Sequence, residues 1–536
     1  MQSRQFTKDF LAFYQMSKRK SSLKIVFLIL TITIGIWGCR RQQPSHPVLP
    51  PDTGIGNIAL QDETYNTDFG DYAGQYGTIV VPSNYMDSLS AKIELYFIRI
   101  HAQTPSQKAP IFYLGGGPGH SNLTFQPFQP LVADRDFVMV GYRGIDDSEP
   151  LICFNVQEAM AGEKDALGQR TRAKLADAFS ECAGQLTGRG IDLNNYTIRE
   201  VIEDIESVRM ALGYDQMNLL SESYGTRIAT FYAQQHPESL ARSVMLGANP
   251  PGRFIFENGK IQQQLEDYAK LWRDDANNPA RDVDLLATIR QVLDNPPSRW
   301  LIFPIDVGKV KMAAFLMLFH RQSAAMVFDA FLAAADGDAS GLAVMSFGYD
   351  MLVPSSLNYA DVAAKAVSAD YDSSRDFVTE MASDGTLLGS PHAQLMWGSL
   401  QHSDWPKSVL PAPYTQLQNT DIQTLILSGN RDFSTPAEYA RDDLLPYLPN
   451  GQQIVISEAG HTVDLWTLHN DAVVKCIVGF FDDGRIDADA IPYSPMTFAV
   501  GLGFAGAAKV AVTVVVLAFL FVTFMIAFLI YRWRLS

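Results

Sequence analysis

Cysteine is almost missing from this chain, with four in 536 residues. That excludes a scaffold built on disulfides, and no Cys-x-x-Cys or His-Glu-x-x-His string is present to hold a metal. Positive charge is also in deficit. Lys and Arg number 42 against 58 Asp and Glu, and the net charge of −16 argues against a nucleic-acid partner. No internal repeat is visible. Apolar residues are plentiful at 47%, enough for one large core.

The longest apolar runs lie near the two ends. Lys18, Arg19, Lys20 and Lys24 precede the apolar run Ile25 to Trp37, and Gly38-Cys39 follows. A basic start, a short apolar run and a small residue before the cut describe an export signal over residues 1–39. The run is too short to span a bilayer comfortably. Cys39 resembles the acylated cysteine of bacterial lipoproteins, so its lipidation is an expectation, with a short unlipidated anchor as the alternative. Val510 to Tyr531 carries no charge and, at about 1.5 Å per residue, reaches ~33 Å as a helix. It reads as a transmembrane helix over residues 510–531. Arg532 and Arg534 follow it, while Asp482, Asp483, Asp487 and Asp489 precede it. Positive charge stays inside, so the tail is expected in the cytoplasm and the body outside, in a bacterial cell envelope. The glycine pattern Gly501, Gly503, Gly506 matches a dinucleotide fingerprint, but it leads into the membrane helix and no βαβ unit surrounds it.

Residues 40–65, rich in Pro, Gln and Gly, read as a spacer. Short apolar runs then alternate with helical patterns. Thr78–Val81 and Lys92–Ile100 read as a leading hairpin. Ile111–Leu114, Phe137–Gly141, Met217–Leu220, Ser243–Leu246, Thr424–Leu427 and Gln453–Ile456 read as buried strands. This alternation predicts an α/β fold, a mainly parallel sheet with helices on both faces. The core is expected over 66–249 and 416–490. Residues 250–415 show helices only, for example Ile261–Asp274 and Val310–Ala335, and read as an inserted helical lid.

The chemistry falls on loops after strands. Ser221-Glu222-Ser223-Tyr224-Gly225 lies between a buried strand and a helical pattern, the context of a nucleophile elbow with Ser223 at its tip. Ser221 stands where the usual motif has glycine, a mild change because small size is what the turn requires. Gly115-Gly116-Gly117-Pro118-Gly119-His120-Ser121 follows an earlier strand. Its backbone N–H groups, from Gly116 or Gly117, suit an oxyanion hole completed by the N–H of Tyr224. Asp432 follows a third strand and His461 a fourth. Each signal alone is weak: an ordinary turn, a plain loop, a helix cap, one of nine histidines. The order Ser, Asp, His, each after its own strand, makes them one catalytic set. Cys153 and Cys182 flank a polar helical stretch and could pair in an oxidising compartment, leaving Cys476 over.

Together these motifs resemble the α/β-hydrolases of the proline iminopeptidase and tripeptidyl aminopeptidase family. Beyond the glycine loop and the elbow, the resemblance rests on Tyr142-Arg143-Gly144, Ser148-Glu149-Pro150-Leu151 and Cys153. It continues through Cys182, Ala211-Leu212-Gly213-Tyr214, Asp432, Thr435-Pro436, Gly460-His461 and Cys476, and covers about residues 70 to 490. It implies a Cys153–Cys182 disulfide with Cys476 free. The lid departs from the family, which often carries cysteines near Asp274-Asp275 and at the position of His402.

The resemblance implies a serine hydrolase acting on a peptide or aminoacyl substrate near a free N-terminus, with no cofactor. An esterase or lipase on the same triad is the alternative, and a silent binding protein a weaker one. Reading an ammonium group in a closed pocket requires a desolvated carboxylate or aligned carbonyls. Glu222, beside the nucleophile, and Glu257 and Glu266, early in the lid, are the candidates.

Overall fold

The computed structural model describes residues 45–535. The expected export signal and Cys39 lie outside the described residues. Eleven strands form in chain order: β1 (Ile58–Asn66), β2 (Asp71–Pro82), β3 (Lys92–Ile100), β4 (Ile111–Leu114), β5 (Phe137–Val140), β6 (Met217–Glu222), β7 (Leu240–Leu246), β8 (Arg299–Trp300), β9 (Phe303–Pro304), β10 (Thr424–Gly429) and β11 (Gly451–Ile456). Nine of them make one sheet in the order β1-β2-β3-β5-β4-β6-β7-β10-β11. The first three strands run antiparallel and β3 meets β5 antiparallel. From β5 to β11 every pairing is parallel.

The central strands read as unbroken apolar runs because both of their faces are covered. All residues of β4, β5 and β10 are buried. Successive side chains point to opposite faces. Leu219 joins a core with Phe97, Phe112, Ile202 and Ile228, and Leu220 joins one with Phe137, Val244, Leu427 and Ile477. Functional loops are therefore expected at the carboxyl edge of the parallel strands.

The structure differs from the sequence expectation in four places. The spacer ends early, because Ile58–Asn66 forms β1 on the sheet edge, where only Tyr65 is buried and the pattern is too polar to read. The insertion between β7 and β10 contains the hairpin β8–β9 among its helices. Residues 485–503 are a strap over that insertion. Arg321 donates to the carbonyls of Ser494 and Pro495 at 2.8 and 2.9 Å, and Met496 and Phe498 are buried with Trp272 and Phe328. The terminal helix begins at Phe504, earlier than the uncharged run, and reaches Leu535. A stretch of it with mean hydropathy 2.9 and no buried residue makes it long and apolar enough to cross a membrane.

Cys153 and Cys182 form a disulfide that ties the start of the helix Phe154–Met160 to the helix Gln169–Gly188. Cys476 is buried and free.

Candidate active site

Strand β6 ends at Glu222 and the helix Tyr224–Gln235 begins one residue later, so Ser223 must turn the chain within a single residue. It does so at φ 50°, ψ −117°, a conformation that side-chain-bearing residues rarely adopt and that costs about 1–3 kcal/mol. Three contacts hold the turn. Ser223 N–H donates to the Leu246 carbonyl at 2.9 Å, and Thr226 N–H donates to the Ser223 carbonyl at 3.0 Å. At Gly225 an added Cβ would lie 2.1 Å from the Leu114 carbonyl oxygen, so only glycine fits. Ser221, where the motif has glycine, is fully buried and donates its hydroxyl to the Val244 carbonyl at 3.1 Å. The strand absorbs that departure as a hydrogen bond.

The glycine loop after β4 packs directly on the elbow. A Cβ on Gly116 would stand 3.1 Å from Ser223 Cβ and 3.7 Å from its Oγ. Gly117 has φ +127° and precedes a cis peptide bond to Pro118. Asn122 pins the loop: its Oδ1 accepts from Gly115 N–H at 2.7 Å, and its amide donates to the carbonyls of Tyr113 and Val140. Tyr224, as the first helical residue, has no acceptor four residues back for its N–H.

Asp432 follows β10 and is fully buried. Its Oδ1 accepts from the N–H groups of Ser434 and Thr435 at 2.8 and 2.9 Å. Its Oδ2 accepts from Thr435 Oγ1 at 2.8 Å and faces His461 Nδ1 at 2.7 Å. Burial alone would raise this carboxyl. The His461 charge and the His461 and Thr435 hydrogen bonds outweigh burial and hold it below the usual carboxylate range. In His461, burial alone would depress the imidazole, but Asp432, with help from Glu222 and Asp464, holds its pKa above the ordinary 6.5. The Asp432 contact assigns the Nδ1–H tautomer and leaves Nε2 as the basic nitrogen. Gly247 lets the ring approach the end of β7: a Cβ there would lie 3.1 Å from His461 Cε1 and 2.8 Å from Thr435 Oγ1. The neighbouring Leu246 carbonyl is the one that holds Ser223. The two residues thus lie on either side of the end of β7, and among the described residues no hydrogen bond joins them.

The three glutamates part company. Glu222 lies beside this site with its Oε1 accepting from Trp466 Nε1 at 2.8 Å and Tyr113 OH at 3.1 Å. Burial raises its pKa, against the opposing pull of Trp466, Tyr113 and His461. Glu257 immediately precedes the helix Asn258–Asp274, makes no side-chain capping bond to it, and pairs with Arg375 at 3.3 Å. Glu266 lies on the helix that Glu257 precedes. That helix buries Ile261, Gln264, Leu265 and Tyr268, which leaves Glu266 exposed on the outer face, bonded to Gln262.

Several residues at the site were not singled out from the sequence. Phe319 of the insertion lies edge-on to the His461 ring at 5.7 Å and its carbonyl accepts from His461 N–H at 2.6 Å. Asp361 Oδ2 accepts from Gly119 N–H at 3.0 Å, and Asp361 pairs with Lys365, both fully buried. Four residues apart on one helix, they read in sequence as a solvated pair. Among the described residues no group of three or more His, Cys, Asp or Glu is arranged to hold a metal ion.

Residues 109–291 match the alpha/beta hydrolase fold family and residues 392–492 match the TAP-like protein family. The tripeptidyl aminopeptidase of Streptomyces lividans is 28% identical over 217 residues, 37% of this chain and 40% of its own length. Serine protease Hip1 of Mycobacterium tuberculosis is 30% identical over 227 residues, 38% of this chain and 41% of its own. The chain thus spans about 40% of the curated relatives it matches. Among solved structures, a serine hydrolase from Cycloclasticus zankles aligns over 79% of this chain and 100% of its own at TM-score 0.36 and 13% identity. The fold and the matched segments define an α/β hydrolase. Its C-terminal part is similar to the TAP-like proteins, and serine peptidases are among its relatives.

Proposed function

We propose that the protein is a membrane-anchored serine exopeptidase that removes residues or short peptides from the free N-termini of peptides outside the cytoplasm. The observation that carries this reading is the buried 2.7 Å His461–Asp432 contact beside a positive-φ serine elbow. His461 Nε2 takes the proton of Ser223 Oγ as the oxygen attacks the scissile carbonyl. Asp432 keeps the ring in the required tautomer and stabilises its charge. The N–H groups of Tyr224 and of Gly116 or Gly117 bind the oxyanion. His461 then protonates the leaving amine, and water, activated the same way, releases the acyl group from Ser223. These steps call on no cofactor.

The helical insertion acts as a lid, and its Phe319 resting on His461 supports a closed pocket suited to chain ends. The terminal helix with Arg532 and Arg534 in its last turn, and the Cys153–Cys182 bond, support a body outside the cytoplasm.

A fluorophosphonate probe together with free and N-acetylated tripeptide amides tests the reading. Ser223→Ala is expected to abolish labelling and lower turnover by about 10⁴-fold or more. Equal cleavage of free and acetylated substrates would defeat the aminopeptidase assignment. Turnover of acyl esters with no peptide cleavage would make the enzyme an esterase.

A further inference from the structure

The membrane helix and the insertion share an interface with a definite direction. Ser340 and Gly341 open the helix Ser340–Leu352, and Phe504 and Ala505 open the terminal one. Ser340 Oγ donates to the Ala505 carbonyl at 3.3 Å, and a Cβ on Gly341 would lie 3.3 Å from Ala505 N. Both helices start at this contact and pack along each other, so they run the same way. Along the terminal helix, Ala505 and Ala508 are buried, and partly covered positions continue to Val514. Every residue from Val515 to Arg534 is exposed. The uncharged part of this stretch, Val515 to Tyr531, reaches ~26 Å at about 1.5 Å per residue, close to the thickness of a bilayer's hydrocarbon core. The membrane boundary therefore falls where the body ends, near Val514 and Val515.

Counting in parallel from the Gly341–Ala505 contact, Met351 and Leu352 come level with Val515 and Val516. Met351 and Leu352 are exposed, and so is Phe347 one turn earlier, at 54%. The β8–β9 hairpin packs on the same helix through Phe303, whose ring meets Phe347 edge-on at 6.3 Å. Its tip carries Leu301 and Ile302, the latter 86% exposed, and Trp300 stacks on Phe303 behind it. Single exposed apolar residues are ordinary on soluble proteins. Five on two adjoining elements, at the level where a membrane helix leaves the body, match an interfacial layer that favours apolar tips backed by tryptophan.

We propose that Leu301, Ile302, Phe347, Met351 and Leu352 form a docking face that sits in the surface layer of the bilayer, holding the insertion flat against the membrane. This rests on the membrane-anchoring reading of the terminal helix. The chain leads from this face toward the glycine loop. Leu357, five residues beyond Leu352, lies against Gly119 of the glycine loop, where an added Cβ would be 3.2 Å from it.

The test uses the full chain in phosphatidylcholine vesicles containing doxyl-labelled lipid. An environment-sensitive nitrobenzoxadiazole label is attached in turn at Ile302→Cys, Phe347→Cys, Val522→Cys and Met210→Cys. Val522 reports the membrane helix. Met210 lies near the end of the helix leading into β6, at the opposite edge of the sheet from Ser223. The expected result is strong lipid quenching at 522, clear quenching with a blue-shifted emission at 302 and 347, and neither effect at 210. Quenching at 522 without quenching at 302 and 347 overturns the proposal and leaves the anchor standing. Shielding of 302 and 347 from aqueous iodide without lipid quenching also overturns it, in favour of a second copy or a protein partner. Absence of quenching at 522 removes the anchor, and the proposal falls with it.

Discussion

Asp361 Oδ2 accepts the backbone N–H of Gly119 at 3.0 Å, so the glycine loop beside Ser223 hangs from a buried carboxylate on the inserted helices. Asp361 in turn is held by Lys365, which also donates to the Arg143 carbonyl at 3.0 Å. The insertion is thus part of the scaffold of the candidate oxyanion hole.

Removing one member of this pair separates its two roles. Asp361→Ala leaves Lys365 as an uncompensated buried charge and is expected to cost about 3–5 kcal/mol of stability. Asp361→Ala with Lys365→Met should recover most of that in a denaturant titration. The double variant should still turn over more slowly, by on the order of tenfold to a hundredfold, because Gly119 is no longer positioned. Full recovery of kcat would mean that the carboxylate serves stability alone.

Glu222 sets a pH dependence. His461 must be neutral to act as a base, and its pKa lies above 6.5, so kcat/KM should fall as the pH is lowered through that raised value. Glu222→Gln removes a nearby negative charge that favours the imidazolium, while its amide oxygen can still accept from Trp466 and Tyr113. The acid limb should therefore move to lower pH with little change in melting temperature. A limb that stays in place would show that Glu222 is not felt at His461.

The elbow tolerates change at one small residue and refuses it at another. Ser221→Gly removes one buried hydrogen bond and is expected to cost about 1 kcal/mol with probe labelling retained. Gly225→Ala would place a methyl 2.1 Å from the Leu114 carbonyl oxygen, so the backbone must shift. Probe labelling of that variant should be lost at the same protein concentration. Normal labelling of Gly225→Ala would refute the geometry.

The Cys153–Cys182 bond should contribute roughly 3 kcal/mol, from the chain freedom it removes in the unfolded state. Replacing both with serine should lower the denaturation midpoint accordingly. Peptide mapping of the unreduced protein should find Cys476 as the free thiol, and a bond from either partner to Cys476 would contradict the structure.

The sheet and its loops were legible because their signals are local. Buried parallel strands such as Ile111–Leu114 and Thr424–Leu427 are apolar at every position, and glycine, serine, aspartate and histidine follow them in turns that only certain residues can make. The amphipathic face of a helix says that something covers it, without saying what. That ambiguity hid the burial of Asp361 and Lys365, the fate of Glu266 and the cap of Trp466 and Tyr113 over Glu222. Strand β1 was missed for a related reason. An edge strand exposes most of its side chains, so its backbone pairing with β2 leaves little trace in residue type.

The sequence by itself determined the order of strands and turns and the apolar tail, because backbone conformation and solvent avoidance act over a few residues. Only the tertiary structure decided that His461 meets Asp432 across 29 residues of chain, that Gly119 meets Asp361, and that the strap at 485–503 lies over the insertion. Those contacts join elements far apart along the chain. Their energy depends on shape and burial that no single segment carries.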